Sequence, residues 1–290
     1  MSEATRVRTP VLLVCLLPGV GYLTVFFGVP LVRVLVGSFS SNKPGMSFPT
    51  LDTWATLFAT PVYLDGLWFS IWLGLAPTVV SLLVSLPLSA LMLANERSRR
   101  LFGALYRVPL VVPGIVAGFL VLVILDRGGM AARLAAPLGL TIPRLVRDEW
   151  GLGAIIASSW KSIPFMTLII SGAMASINKD VLSAARTLGA GRATIFVRVQ
   201  MPLAKPGITA AVLLSFIGSL GSFVIPSLLG PAYPLPLSVS MYREGFQNGN
   251  WPMVYAMGTL LSVVAIGILL VYYAIVGSAG RPQPLSRRDS

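Results

Sequence analysis

The side chains equipped for chemistry are few. Among 290 residues there are ten carboxylates, one cysteine and no histidine. The usual general base and the commonest metal ligand are therefore missing. No Gly-x-x-x-x-Gly-Lys-Ser/Thr phosphate loop, Gly-x-Ser-x-Gly elbow or His-Glu-x-x-His helix occurs. Cys15 lies in an apolar run and cannot anchor a disulfide framework. No catalytic residue, metal ligand or bound cofactor is expected on this chain. One charge stands out, because Lys161 sits inside an apolar run of membrane length. A charge at mid-bilayer costs roughly 2.5–3.5 kcal/mol on insertion scales. Two readings follow. Lys161 snorkels toward the outer interface beside Trp160, or it faces a polar path, where it repels cations.

A second group of residues is organised by period. The stretch Ser183-Ala-Ala-Arg-Thr-Leu-Gly189 continues to Val199-Gln-Met201-Pro202. Val181, Leu182, Ala185 and Leu188 fall at i, i+1, i+4 and i+7, one apolar helix face. Gly189 and Gly191 follow as a helix stop, with Gly189 at a position that commonly needs left-handed backbone. Ile195, Phe196 and Val199 repeat the spacing, and Arg186, Arg192 and Arg198 lie off both stripes. Pro202 and Pro206 are expected to end the second helix. From period alone this is an amphipathic connection between two membrane helices.

The elements that position these groups are membrane spans. The chain is 55% hydrophobic and 11% charged, with mean hydropathy +0.82, as in a polytopic helical membrane protein. The net charge of +12 is scattered between apolar runs, so lipid headgroups and topology account for it better than nucleic acid. Six spans are predicted, at 10–32, 65–94, 105–125, 152–175, 206–229 and 252–277. The first is too long for a signal-peptide core and lacks a small-residue cleavage site. A tail at 1–9, a transmembrane domain at 10–277 with a polar loop at 176–205, and a basic tail at 278–290 complete the division. Asn95-Glu-Arg-Ser-Arg-Arg100 forms a basic loop. Twice as many lysines and arginines fall on the side of the termini as on the other, which puts both termini in the cytoplasm. Pro109 and Pro113 are expected to kink the third span, and Pro226 and Pro231 to end the fifth. Gly218, Gly221 and Ser222 suit close helix contact. No carboxylate lies deep in a span, which weighs against a proton-coupled transporter.

The stretch 183–202 resembles the cytoplasmic signature loop of bacterial ABC-importer permeases. That pattern is Glu-Ala-Ala, three residues, Gly, nine residues, Ile, one residue, Leu-Pro. Ala184, Ala185, Gly189 and Pro202 match in register, and Val199 and Met201 replace Ile and Leu. Ser183 stands where the family has Glu. Pro164-Phe-Met166, Gly221-Ser-Phe-Val-Ile-Pro226-Ser-Leu-Leu-Gly230 and Asn250-Trp-Pro252 are similar to segments of the polyamine-type permeases.

The resemblance implies an all-α polytopic membrane protein with six transmembrane helices, ABC type I importer permease-like, in a bacterial inner membrane. It implies half of a pore, completed by a second permease subunit as a heterodimer. Two ABC ATPase subunits, which hold ATP and Mg, and an extracytoplasmic solute-binding protein complete the machine. Ser183, Ala184, Ala185, Leu188, Gly189, Ile195, Phe196, Val199 and Pro202 would form the ATPase-coupling loop. Trp160, Lys161, Phe165, Phe216, Ser219, Ser222, Phe223 and Tyr242 are candidates for lining the path. The implied cargo is polyamine-like, spermidine or putrescine, with a small anion such as a phosphonate, or iron, as alternatives. A secondary transporter or channel working alone is the rival class.

Overall fold

A computed structural model describes residues 9–43, 45, 48–94 and 108–278. The expected tails 1–9 and 278–290, apart from Thr9 and Ser278, and the basic loop Asn95–Arg100 lie outside the described residues. The described residues are helical with connecting turns, and no strand occurs among them. Five helical runs are long and apolar enough to cross a membrane: Leu16–Gly37, Pro61–Leu93, Gly114–Leu138, Leu152–Ala175 and Trp251–Ala274. The bent pair Arg192–Leu203 and Lys205–Leu220 makes a sixth when the two are counted as one span. The chain is thus a multi-pass α-helical membrane protein. It divides into two units.

The smaller unit comprises Met1–Pro61 and Met241–Ser262. It holds α1 (Thr9–Leu23), α2 (Val29–Gly37) and α3 (Asp52–Ala59). A π-helical turn, Thr24–Gly28, joins α1 to α2 without a break. Pro30 has no N–H for the carbonyl four residues back, and the widened turn before it absorbs that loss. The first span therefore runs on to Gly37, beyond the expected end at residue 32. At the start of α3, Lys43 Nζ bonds to Asp52 Oδ1 at 2.7 Å. That hydrogen bond holds the Asp52 carboxyl below the usual carboxylate range.

The larger unit comprises Val62–Ser240 and Val263–Ser290. Its second span is α4 (Pro61–Ala94), of 34 residues, or about 50 Å at 1.5 Å per residue. The third span is broken into α5 (Val108–Val111) and α6 (Gly114–Leu125), followed by the short α7 (Met130–Ala135). The fourth, α8 (Leu152–Ala175), has the predicted bounds. Asp148 caps it, accepting from Leu152 N at 2.8 Å and Trp150 N at 3.1 Å. Beyond it come α9 (Lys179–Thr187), α10 (Arg192–Ile195), a π turn Phe196–Gln200 and α11 (Met201–Leu203). Then follow α12 (Lys205–Leu220), α13 (Val224–Leu229) and α14 (Leu237–Tyr242), whose last two residues belong to the smaller unit. The last helix, α15 (Trp251–Ser278), belongs to both units.

Helix α8 is the hub of the larger unit. Its N-terminal half packs Ala154, Ile155 and Ala157 with Phe69, Leu73, Val146, Ile225 and Leu229. Its C-terminal half packs Met166, Ile170 and Met174 with Ala204 and Ala211. A seam of buried serines fastens α4 to α8. Ser81, Ser85 and Ser89 donate to the carbonyls of Ser159 (3.3 Å), Ile163 (3.0 Å) and Thr167 (3.3 Å). Hydroxyls four residues apart fall on one helix face, and small side chains let the backbones approach.

Three expectations need correction. The fifth span does not end at Pro226, which is buried within α13; the helix breaks earlier, at Gly221–Phe223. Pro202 does not end its helix either. It sits in the first turn of α11, two positions past the π turn that accommodates it; the helix ends one residue later, at Leu203, and the chain bends by 72° into α12. The close helix contact is made at Gly207 and not at Gly218 or Gly221, which have open space or a single ordinary contact where a Cβ would be. A Cβ on Gly207 would stand 2.2 Å from Ala173 Cβ. Gly207→Ala is therefore expected to destabilise the α8–α12 crossing by about 1–3 kcal/mol. Ala173→Gly should rescue it, because the other atoms near that Cβ lie at 3.7 Å or more. Equal melting temperatures of Gly207→Ala in both backgrounds would refute the contact.

Candidate functional site

The loop 176–205 is built by local rules. Asn178 caps α9, its Oδ1 accepting from Asp180 N at 2.9 Å. At the other end Gly189 has φ +82°. Gly189 N bonds to Arg186 O at 2.9 Å and Ala190 N to Ala185 O at 3.0 Å. These two bonds make a Schellman motif, which satisfies the last carbonyls and turns the chain sharply. The left-handed glycine expected after α9 is thus present.

The nine coupling residues separate into two groups. On α9 Val181 is 44% exposed, and Leu188, its C-cap, is 88% exposed; Ser183 and Ala184 are exposed and Ala185 is half-buried. Among the described residues, Val181 and Leu188 on this face are left largely open. Beyond Gly189 the pattern reverses. Ile195 is buried, and Phe196 packs against the Met166, Ile170 and Met174 cluster. Val199 is half-buried and Pro202 exposed. Phe196 thus anchors the loop to the transmembrane core, whereas α9 is the part presented outward. The two identical stripes of the sequence have opposite fates, because only the second follows the chain back toward α12.

A cavity of about 360 Å³ opens between α5, α8, α12 and α13. From α8 it takes Ser158, Lys161, Ser162 and Phe165, and from α12 Leu214, Ser215, Gly218 and Ser219. Ser222, Leu110 and Ile225 complete the wall. Of the path candidates, Lys161, Phe165, Ser219 and Ser222 meet here. Trp160 and Phe223 do not line it. Phe216 is buried against Gly74, out of the cavity, and Tyr242 lies in the smaller unit, beside Phe246.

Lys161 is held by the break in the third span. Its Nζ donates to Val112 O at 2.5 Å and to Pro109 O at 3.4 Å. Pro113 has no N–H, so the carbonyl of Pro109, four residues back, lacks its helical donor. Val112 is cut off from α6 by the extended Pro113, whose ψ is 148°. The lysine supplies what the backbone lost.

The sequence reading passed over Ser158, Ser162 and Ser215. A signal was present: Ser158, Lys161, Ser162 and Phe165, and again Ser215, Gly218, Ser219 and Ser222, fall at i, i+3, i+4 and i+7. Phe165 apart, each is a run of small or polar residues at helical spacing, and both runs line one cavity.

Comparison with known proteins places this geometry. The family described as "Binding-protein-dependent transport system inner membrane component" matches residues 82–279. The spermidine/putrescine transport system permease protein PotB of Haemophilus influenzae is 29% identical over 258 residues, covering 87% of this chain and 89% of the relative. The molybdenum transport system permease protein ModB of Mycobacterium bovis is 30% identical over 253 residues, covering 85% and 88%. Among solved structures, a bacterial ABC transporter involved in the import of the acidic polysaccharide alginate superposes with TM-score 0.78 at 20% identity, covering 94% of this chain and 97% of that one. The MetNI methionine ABC transporter gives 0.63 at 19% identity, covering 81% and 100%.

Proposed function

The chain belongs to the family of binding-protein-dependent transport system inner membrane components, and on that premise we propose that it forms half of the pore of an ATP-driven importer. A second permease subunit forms the other half. Two ATPase subunits hold ATP and Mg, and an extracytoplasmic binding protein delivers the solute. Both termini and the loop 176–205 face the cytoplasm, as the excess of basic residues on that side supports.

The observation that carries this reading is the outward apolar face of α9, ended by the left-handed Gly189. A helix with Leu188 88% exposed is left for a partner to cover, and the turn fixes its angle to the membrane helices. Movement of an ATPase against α9 passes to the core through Phe196, which packs on the cluster shared by α8 and α12. Two cargo classes compete. The polyamine-like segments and the PotB relative support spermidine or putrescine. The ModB relative and the lysine in the cavity support a small anion.

The test is hydrolysis with and without partners. The purified chain alone is expected to turn over no ATP. The chain assembled with its ATPase should hydrolyse ATP faster when the loaded binding protein is added. Turnover by the isolated chain, with contaminating ATPases excluded, would overturn the assignment.

A further inference from the structure

We propose that the cavity between α8 and α12 is an oxyanion site, so that the cargo handled by this half-pore is a small oxyanion and not a polyamine. The proposal rests on the importer reading and narrows it. Its basis is the chemistry of the wall. Among the described residues, the lining carries one cation, Lys161, and five serines, 158, 162, 215, 219 and 222, and no carboxylate. A polyamine offers cationic nitrogens and methylenes. It calls for carboxylates or several aromatic faces, and Phe165 is the one aromatic ring lining the wall among the described residues. An oxyanion offers acceptor oxygens only, which suits an ammonium and hydroxyl donors.

Two details show that these groups are available. An ammonium has three N–H donors, and Lys161 commits its bonds to two carbonyls, Pro109 and Val112. Its charge and a third donor remain for the cavity. Ser215 is 5% exposed, lines the cavity, and its Oγ has no hydrogen-bond partner among the described residues. A buried hydroxyl is rarely left so in a finished structure. The stripe at 215, 218, 219 and 222 sets Ser219 one turn from Ser215 on the same face, with Gly218 keeping the space between open.

The test measures equilibrium binding of labelled molybdate and labelled spermidine to the full chain in nanodiscs, wild type and Ser215→Asp. Molybdate is expected to bind and spermidine not. Ser215→Asp, which adds a negative charge facing Lys161, should weaken molybdate binding at least tenfold. Spermidine bound in preference to molybdate, or molybdate binding unchanged in Ser215→Asp, would overturn the proposal. Because a poorly folded Ser215→Asp would also lose binding, Ser215→Ala is measured beside it. It should keep the fold and weaken molybdate binding by a smaller factor, and wild-type affinity in it would count against the orphan hydroxyl as a ligand. Binding needs no ATPase, so this outcome stands apart from the hydrolysis test of the importer reading.

Discussion

Gly189→Val and Ala185→Glu are expected to abolish uptake and ATPase co-purification while leaving the protein in the membrane. The first acts through the backbone. Gly189 has φ +82° with nothing within 4 Å of where a Cβ would lie, so the penalty is conformational and not a clash. A left-handed β-branched residue costs about 1–2 kcal/mol, and escaping that cost means breaking the bonds to Arg186 O and Ala185 O. Either way α9 points elsewhere. Gly189→Asn is the control, since Asn tolerates the left-handed region, and it should retain most uptake. Ala185→Glu acts through the surface. It places a carboxylate on the apolar face beside Leu188, and an unpaired charge buried under a partner usually costs several kcal/mol. Ser183→Glu, on the exposed side of the same helix, should be tolerated. Normal recruitment and uptake in both Gly189→Val and Ala185→Glu would show that α9 is not the coupling element.

The sequence disclosed this loop well and the cavity poorly, and the reason is physical. Helix stops, caps and apolar stripes are local: Asn178, Gly189 and the Val181–Leu188 stripe depend on neighbours within one turn. The bounds of α8 were legible because Asp148 and Gly151 end the polar loop just where the apolar run begins. Lys161 was visible as a charge out of place, but its partners were not. They exist because Pro113 leaves carbonyls unpaired 49 and 52 residues away, and sequence order does not state that α5 packs on α8. The two polar stripes had the right period, yet serines in membrane helices most often serve packing. The Ser81, Ser85 and Ser89 seam does so, and only the fold separates the two uses. Pro226 misled for the complementary reason. Proline in the first turn of a helix is tolerated, and three residues without helical structure at Gly221–Phe223 had already restarted the chain.

Lys161→Met is expected to lower both melting temperature and uptake, and the stability loss should depend on Pro113. In the wild type the lysine bonds to Val112 O and Pro109 O. Methionine fills similar volume but donates nothing, which leaves two carbonyls unpaired among apolar side chains. A buried polar group left unsatisfied costs about 1–3 kcal/mol, and the loss of charge removes the cavity's one cation. Pro113→Ala restores an N–H four residues after Pro109, so its carbonyl regains a helical donor. The double variant should therefore lose less stability than the two single losses added together. A coupling of about 0.5–3 kcal/mol is the range for residues sharing one network. Uptake separates the two roles, because Pro113→Ala returns a backbone bond but no charge. The double variant is expected to regain stability and remain defective in transport. Additive losses of stability would show that Lys161 does not hold the break in the third span. Full uptake in Lys161→Met would show that its charge is not used by the path.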